Sequence, residues 1–320
     1  MKIGILDDYQ DVVRHLACFD LLKEHEVKVF HHSATGLGQL AIRLADFDAL
    51  VLIRERTRFT RALLQRLPKL KVISQTGKVS GHIDLDAATE FGIQILEGSG
   101  DPTAPAELTW ALIMAASRKL TGYSQLLQQG LWQTASTQPE YNGLGRVLKG
   151  RTLGIWGYGK IGRLVASYGR AFGMQVLIWG RAASLQLAQQ DGYQIANDKA
   201  DFFQRSDVLS LHLRLNEATQ GIVSTTDLAL MKTDALIVNT SRAELIEAGG
   251  LLQALNAGRP GFAAIDVFEQ EPILPHHPLL QRPNVLATPH LGYVEQDSYE
   301  LYLRQAFENL LHYATTQTLS

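Results

Sequence analysis

Three late segments of this 320-residue chain each close a short apolar run with polar side chains. They are Asn239-Thr240-Ser241-Arg242, Asp266-Val267-Phe268-Glu269-Gln270-Glu271-Pro272 and Thr288-Pro289-His290-Leu291-Gly292. If the runs are strands of one sheet, their ends converge, and a guanidinium, a carboxylate and an imidazole can meet. An imidazole moves a proton near neutrality. A carboxylate beside it favours the imidazolium and fixes the ring. A guanidinium grips an anion through two parallel hydrogen bonds. Each residue alone has a plainer reading: a surface ion pair, a solvated loop carboxylate, a satisfied loop histidine. Arriving together behind a nucleotide motif, they favour a site.

That motif is Thr152 to Gly162, TLGIWGYGKIG. Leu153 to Trp156 reads as a buried strand, and Arg163 to Phe172 as a helix. Between them runs Gly157-Tyr158-Gly159-Lys160-Ile161-Gly162, the G-x-G-x-x-G fingerprint of dinucleotide sites in its proper strand–turn–helix context. Gly157 permits the tight turn, Gly159 lets a pyrophosphate approach the backbone, and Gly162 lets helix and strand pack closely. The free N–H groups of the helix start suit the anion. The next strand ends Trp179-Gly180-Arg181, with no carboxylate to hold a ribose 2′-hydroxyl. Arg181 could instead pair with a 2′-phosphate. The expected cofactor therefore leans to NADP, with NAD as the alternative if Arg181 is only a surface residue. Arg214 could add to this.

The elements that must carry these groups alternate along the chain. Strands are expected at Lys2–Leu6, Val27–Phe30, Ala49–Ile53, Lys71–Gln75 and Gln94–Leu96, with helices at Val12–Lys23, Ala41–Leu44, Thr60–Leu67 and Asp86–Phe91. Later strands are expected at Gln175–Trp179, Val208–Leu211, Leu236–Asn239, Ala263–Asp266 and Val285–Ala287. Helices are expected at Leu108–Leu120, apolar almost all round and so buried, at Glu247–Asn256, and at Glu295–Tyr313, which could cross back to the first domain. This alternation implies an α/β fold of doubly wound parallel sheets. Two loops of the first sheet qualify for ligand binding: Arg54-Glu55-Arg56-Thr57, and Thr76-Gly77-Lys78-Val79-Ser80-Gly81. The second exposes backbone N–H groups and a lysine for an anion; its plainer reading is a surface loop. Leu126 to Lys149, with Trp132 and Tyr141, reads either as an arm over a partner subunit or as a loop on its own domain. Asp101 to Pro105 reads as a hinge.

Composition bounds the rest. The formal net charge is -2 without long runs of one sign, so no nucleic-acid or anionic-membrane partner is expected. The single cysteine, Cys18, excludes an intramolecular disulfide and a cysteine-based metal cluster, and no metal is expected. Cys18 sits among apolar residues and reads as a small buried side chain. Met1-Lys2 runs straight into Ile3, so no secretory leader is expected. No apolar run reaches membrane-spanning length. These features point to a cytoplasmic protein.

Taken together, these residues resemble the D-isomer-specific 2-hydroxyacid dehydrogenase family. The likeness runs over nearly the whole chain. It includes the Gly77 to Asp84 loop with Leu85-Asp86-Ala87-Ala88, Ala106-Glu107-Leu108, Gly157 to Gly162 with Phe172-Gly173-Met174, Leu211-His212-Leu213, and the three late segments. It implies a Rossmann nucleotide-binding domain, about residues 101–290, inserted into a split flavodoxin-like substrate domain, 1–100 and 291–320, usually as a homodimer. It implies hydride transfer between a nicotinamide cofactor and a small 2-keto or 2-hydroxy acid such as glyoxylate or hydroxypyruvate, with Arg242 on the substrate carboxylate, His290 as acid/base and Glu271 as its partner. Thr76, Gly77, Lys78 and Val79 would face the substrate. Asp266 resembles the residue near the nicotinamide amide; His212, Leu213, Thr240, Ser241 and Gly292 resemble cofactor positions. The chain departs from the pattern at Ala243, where the family has glycine, at Arg214, where proline is common, and at Lys78. Its end soon after Tyr313 leaves no expected room for the regulatory domain of some phosphoglycerate dehydrogenases. Glu271 is unlike the amide of formate dehydrogenase. The runner-up function is a nucleotide-sensing interaction protein of the same fold, like the family's corepressors.

Overall fold

Short apolar runs bounded by turn residues become parallel strands here, buried on both faces because helices cover each side. The computed structural model describes residues 1–34, 36–133 and 143–318, so Tyr141 lies outside the described residues. The backbone divides into two compact units, Met1–Asp101 with Val294–Ser320, and Pro102–Tyr293. The sequence places these boundaries at 100/101 and 290/291, one and three residues earlier.

In the first unit the elements run β1 (Lys2–Leu6), β2 (Glu26–Val29), α1 (Leu37–Leu44), β3 (Ala49–Leu52), α2 (Arg61–Leu64), β4 (Val72–Gln75), α3 (Leu85–Glu90) and β5 (Gln94–Glu97). The strands pair in parallel in the order β2-β1-β3-β4-β5, the flavodoxin-like winding. The C-terminal helix, Gln296–Thr318, returns to this sheet, where the Ser74 hydroxyl donates to Ala306 O at 2.9 Å. Val12 to Lys23 is not the single helix its apolar spacing predicts. Val13–His15 and Ala17–Leu22 are separate 3-10 turns, parted by Leu16 in an extended conformation. The buried Asp8 carboxylate accepts the N–H groups of Val12 and Val13, fixing a turn where helix would otherwise start. Cys18 is buried, and burial pushes its thiol up to about 12.

The second unit runs α4 (Thr103–Arg118), α5 (Leu120–Gln128), β6 (Thr152–Trp156), α6 (Lys160–Ala171), β7 (Gln175–Trp179), α7 (Ala182–Gln190), β8 (Gln194–Ile195), α8 (Lys199–Arg205), β9 (Val208–Leu211), α9 (Thr225–Ala229), β10 (Leu236–Asn239), α10 (Gly250–Asn256), β11 (Phe262–Ile265) and β12 (Val285–Ala287). The strand order is β12-β11-β10-β9-β6-β7-β8, all parallel, which is the Rossmann winding with β6 as its first strand. Ile155, Ile178 and Val238 face one core, packed with Val165; Leu209 and Ile237 face the other, packed with Phe202 and Phe203. β11 starts one residue earlier than its apolar run suggested, leaving Asp266 just beyond the strand end. β8 has only two residues and gives no run to read. α4 is not buried all round: Ala106, Thr109, Leu112 and Ile113 are buried, while Ala111 is exposed. Among the described residues no helix is long and apolar enough to cross a membrane.

Candidate active site

The glycine turn is built by crowding on two sides and openness on the third. Gly157 has φ +101°, and a Cβ there would lie 2.5 Å from His212 O. A Cβ on Gly162 would lie 2.1 Å from Gly157 O, so only glycine lets α6 start so close to β6. Gly159 differs: nothing lies within 4 Å of where its Cβ would be. That open cradle, at the head of a twelve-residue helix whose first N–H groups need acceptors, fits a pyrophosphate. Lys160 is exposed there and Ile161 half-buried. Tyr158 contributes main chain only. Its side chain is buried and its hydroxyl donates to Asp191 Oδ2 at 2.7 Å.

Beyond the turn, β7 ends at Trp179 and α7 begins after Arg181, which is exposed. No carboxylate stands among residues 179–184. On the other side of β6, the main chain of His212 backs onto Gly157, and Leu213 lies just beyond. The His212 ring turns inward. Its Nε2 meets Ser210 Oγ at 2.9 Å, and its Nδ1 is buried without a partner. Burial pushes its pKa down to about 4, because a buried imidazolium would lack a counter-charge.

Asn239 organises the arginine. Its Oδ1 accepts Ser241 N–H at 3.0 Å and its Nδ2 donates to Arg242 O at 2.8 Å, folding the residues between into a fixed turn. The Ser241 hydroxyl donates to Leu211 O at 2.7 Å, and Thr240 Oγ1 lies 2.7 Å from Thr109 Oγ1. Arg242 is half-buried and donates from Nη1 to Ser241 O at 2.6 Å. Ala243 opens a 3-10 turn without a positive φ, so this position does not demand the family's glycine.

Asp266 is fully buried and ties the end of β11 to the histidine loop. Its Oδ1 accepts the Thr288 hydroxyl at 2.6 Å and Leu291 N–H at 2.7 Å; its Oδ2 accepts Gly292 N–H at 2.9 Å. Burial raises its pKa even against those bonds and the nearby His290 charge. Between the anchored residues sits His290, with φ +52°, a left-handed conformation that costs energy in a non-glycine residue.

His290 and Glu271 meet. Nδ1 of the ring lies 2.6 Å from Glu271 Oε2, and Glu271 Oε1 accepts Phe268 N–H at 2.9 Å. Burial works to raise the Glu271 pKa. The His290 hydrogen bond and charge, the Phe268 N–H and the charge of Arg242 outweigh it, and the carboxyl is held below its ordinary range. With Nδ1 engaged, Nε2 is the ring nitrogen left for a substrate. The His290 ring packs edge-on against Tyr293 at 5.6 Å. The three residues that the sequence singled out thus share the carboxyl edge of the sheet bearing the glycine turn.

The first unit holds the loop after β4. The Thr76 hydroxyl donates to Leu52 O and accepts Arg54 N–H, both at 2.9 Å. Gly77 has φ +105°. Lys78 Nζ pairs with Glu97 Oε2 at 2.9 Å, and Val79 N–H donates to Glu97 Oε1 at 2.7 Å. The lysine that the sequence offered to an anion therefore has a carboxylate of its own. Arg54, at φ +56°, reaches Thr76 O, and Arg56 donates to Asp7 O and to the Tyr299 hydroxyl while stacking on Tyr9. Sequence reasoning missed Asn239 and Thr288 as organisers. The only signal for either was a short polar side chain at or just past a strand end.

A Rossmann sheet with an open glycine cradle and an imidazole–carboxylate pair on the same edge defines a nucleotide-binding class of α/β protein. Residues 110–292 match the family model described as the NAD binding domain of D-isomer specific 2-hydroxyacid dehydrogenases, and the chain belongs to that family. It is 36% identical over 255 residues to a glyoxylate reductase of Aeropyrum pernix, covering 79% of this chain and 76% of that one. It is 35% identical to a D-3-phosphoglycerate dehydrogenase of Methanocaldococcus jannaschii over 85% of this chain, spanning 52% of that longer protein. Among solved structures it is similar to a phosphoglycerate oxidoreductase of Vibrio cholerae, with a TM-score of 0.95 and 56% identity over 99% of both chains.

Proposed function

We propose that this chain is a D-isomer-specific NAD(P)-dependent reductase of small 2-keto acids, acting on glyoxylate or hydroxypyruvate. The observation that carries the reading is the 2.6 Å contact of His290 Nδ1 with Glu271 Oε2 on the edge that bears the glycine turn. A nicotinamide cofactor supplies the hydride when bound. Gly157, Gly159 and Gly162, with the main chain of Tyr158, Lys160 and Ile161, would hold its pyrophosphate; His212, Leu213, Thr240, Ser241, Asp266 and Gly292 would flank the rest. Arg242 binds the substrate carboxylate with a guanidinium fork and polarises the carbonyl. His290 Nε2 gives a proton to the oxygen of that carbonyl as its carbon accepts hydride, and takes the proton back in the reverse direction. Glu271 holds the ring and stabilises the imidazolium.

The exposed Arg181 favours NADP over NAD. The reading assigns a homodimer, supported by the exposed Leu120 and Leu127 on α5 and by Trp132, 71% exposed. A cytoplasmic setting fits the single buried thiol. A second reading, a 2-hydroxy acid that carries a phosphate, is favoured by relatives named D-3-phosphoglycerate dehydrogenase. The test follows NADH and NADPH absorbance with glyoxylate, hydroxypyruvate and its 3-phosphate ester. Turnover of the first two supports the main reading. Preference for the ester selects the second, and tight nucleotide binding without any turnover overturns both.

A further inference from the structure

β1 and β2 are neighbours in the first unit's sheet, with Ile5 opposite Val29. Past the strand ends the pairing continues: Phe30 N–H donates to Ile5 O and Asp8 N–H donates to Phe30 O, both at 2.9 Å. Asp8 and His31, which follow the two strands, are thus held side by side at the carboxyl edge. Asp11 folds back towards them. Its N–H donates to Asp8 O at 3.1 Å, and its φ is +52°. One ligand atom from each of the three side chains lies within 4.8 Å of the other two.

Asp8 is fully buried. Its Oδ1 accepts Val12 N–H at 3.3 Å and its Oδ2 accepts Val13 N–H at 3.0 Å. An ionised carboxylate has about four acceptor sites, so these bonds orient it and leave it room for a further partner. Among the described residues no lysine or arginine pairs with it; the nearest ionisable nitrogen is His31 Nδ1, 3.9 Å from Oδ2. That nitrogen is shut off from solvent. It lies 3.1 Å from Asp11 Oδ1 yet makes no hydrogen bond, because the contact lacks the alignment one needs. A buried nitrogen left in that state costs free energy, and a cation among these atoms removes the cost.

We propose that Asp8, Asp11 and His31 bind one divalent transition-metal ion of the zinc class. Ligands about 2.0–2.2 Å from a shared zinc stand roughly 3–4 Å apart, the range spanned by the two His31 contacts. The imidazole selects a transition metal over magnesium or calcium, which take oxygen ligands. Two carboxylates balance a doubly charged ion fully, whereas a proton on His31 balances only one of them. The Val12 and Val13 N–H groups hold Asp8 in place as a ligand, and the remaining coordination position is left for water. No metal is expected from the sequence, where these residues form no motif; strand pairing brings them together. The ion ties the loop after β1 to the end of β2, so its binding stabilises the first unit.

Isothermal titration of the metal-stripped full chain with zinc tests this, with thermal unfolding measured alongside. One zinc binds per chain and raises the melting temperature, and a large excess of magnesium does not displace it. D11N and H31Q each weaken zinc by about tenfold or more and abolish the thermal shift. Asp11 is exposed and asparagine tolerates its left-handed backbone, so D11N keeps the fold and decides the matter if H31Q folds poorly. The double variant H276Q/H277Q, which removes the adjacent histidine pair of the other unit, leaves zinc affinity unchanged. The proposal is overturned if zinc does not bind, if magnesium displaces it, if D11N keeps full affinity, or if H276Q/H277Q abolishes binding.

Discussion

Glu271→Gln removes the charge beside His290 while keeping the shape of the side chain. The wild-type contact is short, 2.6 Å, and Oε1 remains fixed by Phe268 N–H, so the amide can still orient the ring. What disappears is the charge assistance. A hydrogen bond to an ionised partner contributes about 1.5–3 kcal/mol. The Glu271 side chain is 35% exposed, so solvent screens the pair and the lower end applies, about 1.5 kcal/mol. At about 1.36 kcal/mol per factor of ten, that is about a tenfold loss of kcat/KM for reduction in E271Q, with cofactor affinity unchanged. The assay is kcat/KM for wild type and E271Q, with the Kd for the cofactor measured alongside. An undiminished kcat/KM in E271Q would refute the coupling, as would a loss that is matched by a loss of cofactor affinity.

Two further outcomes are expected. R181A raises the Kd for NADPH by about tenfold or more, the loss of one charge-assisted pair, while NADH changes little; equal losses for both cofactors would end the phosphate argument. His212 contributes to acid lability: its folded pKa of about 4 lies below the ordinary 6.5, so its contribution is full above pH 6.5 and is lost as pH falls towards 4, by up to about 3 kcal/mol. Denaturant unfolding of wild type and H212Q between pH 7 and 4.5 checks this, and a stability difference that stays constant with pH would contradict it.

The architecture was legible wherever burial on both faces leaves a continuous apolar run, as in Gln175–Trp179, Val208–Leu211 and Leu236–Asn239, whose bounds in the structure are those read from the sequence. Helix limits were less legible, because capping and tertiary packing set them. Asp8 holds two N–H groups and turns one expected helix into two 3-10 turns, and α4 is apolar on a face its own unit leaves partly open. In the candidate site, Glu271 and His290 stand 19 residues apart, and the convergence of strand ends was enough to anticipate their meeting. The use of Asp266 was not legible. A carboxylate after a strand gives no sign that both its oxygens will hold the 288–292 loop. Nor did Lys78 announce Glu97, its partner from the neighbouring strand.

The central claim is that His290 transfers the proton in a nicotinamide-dependent reduction. The most direct measurement compares wild type and H290A for NADPH binding by fluorescence titration and for single-turnover NADPH oxidation in the presence of hydroxypyruvate. The account predicts equal binding and a turnover rate lowered at least about a hundredfold, the lower bound for losing a general acid. Undiminished oxidation in H290A would contradict it.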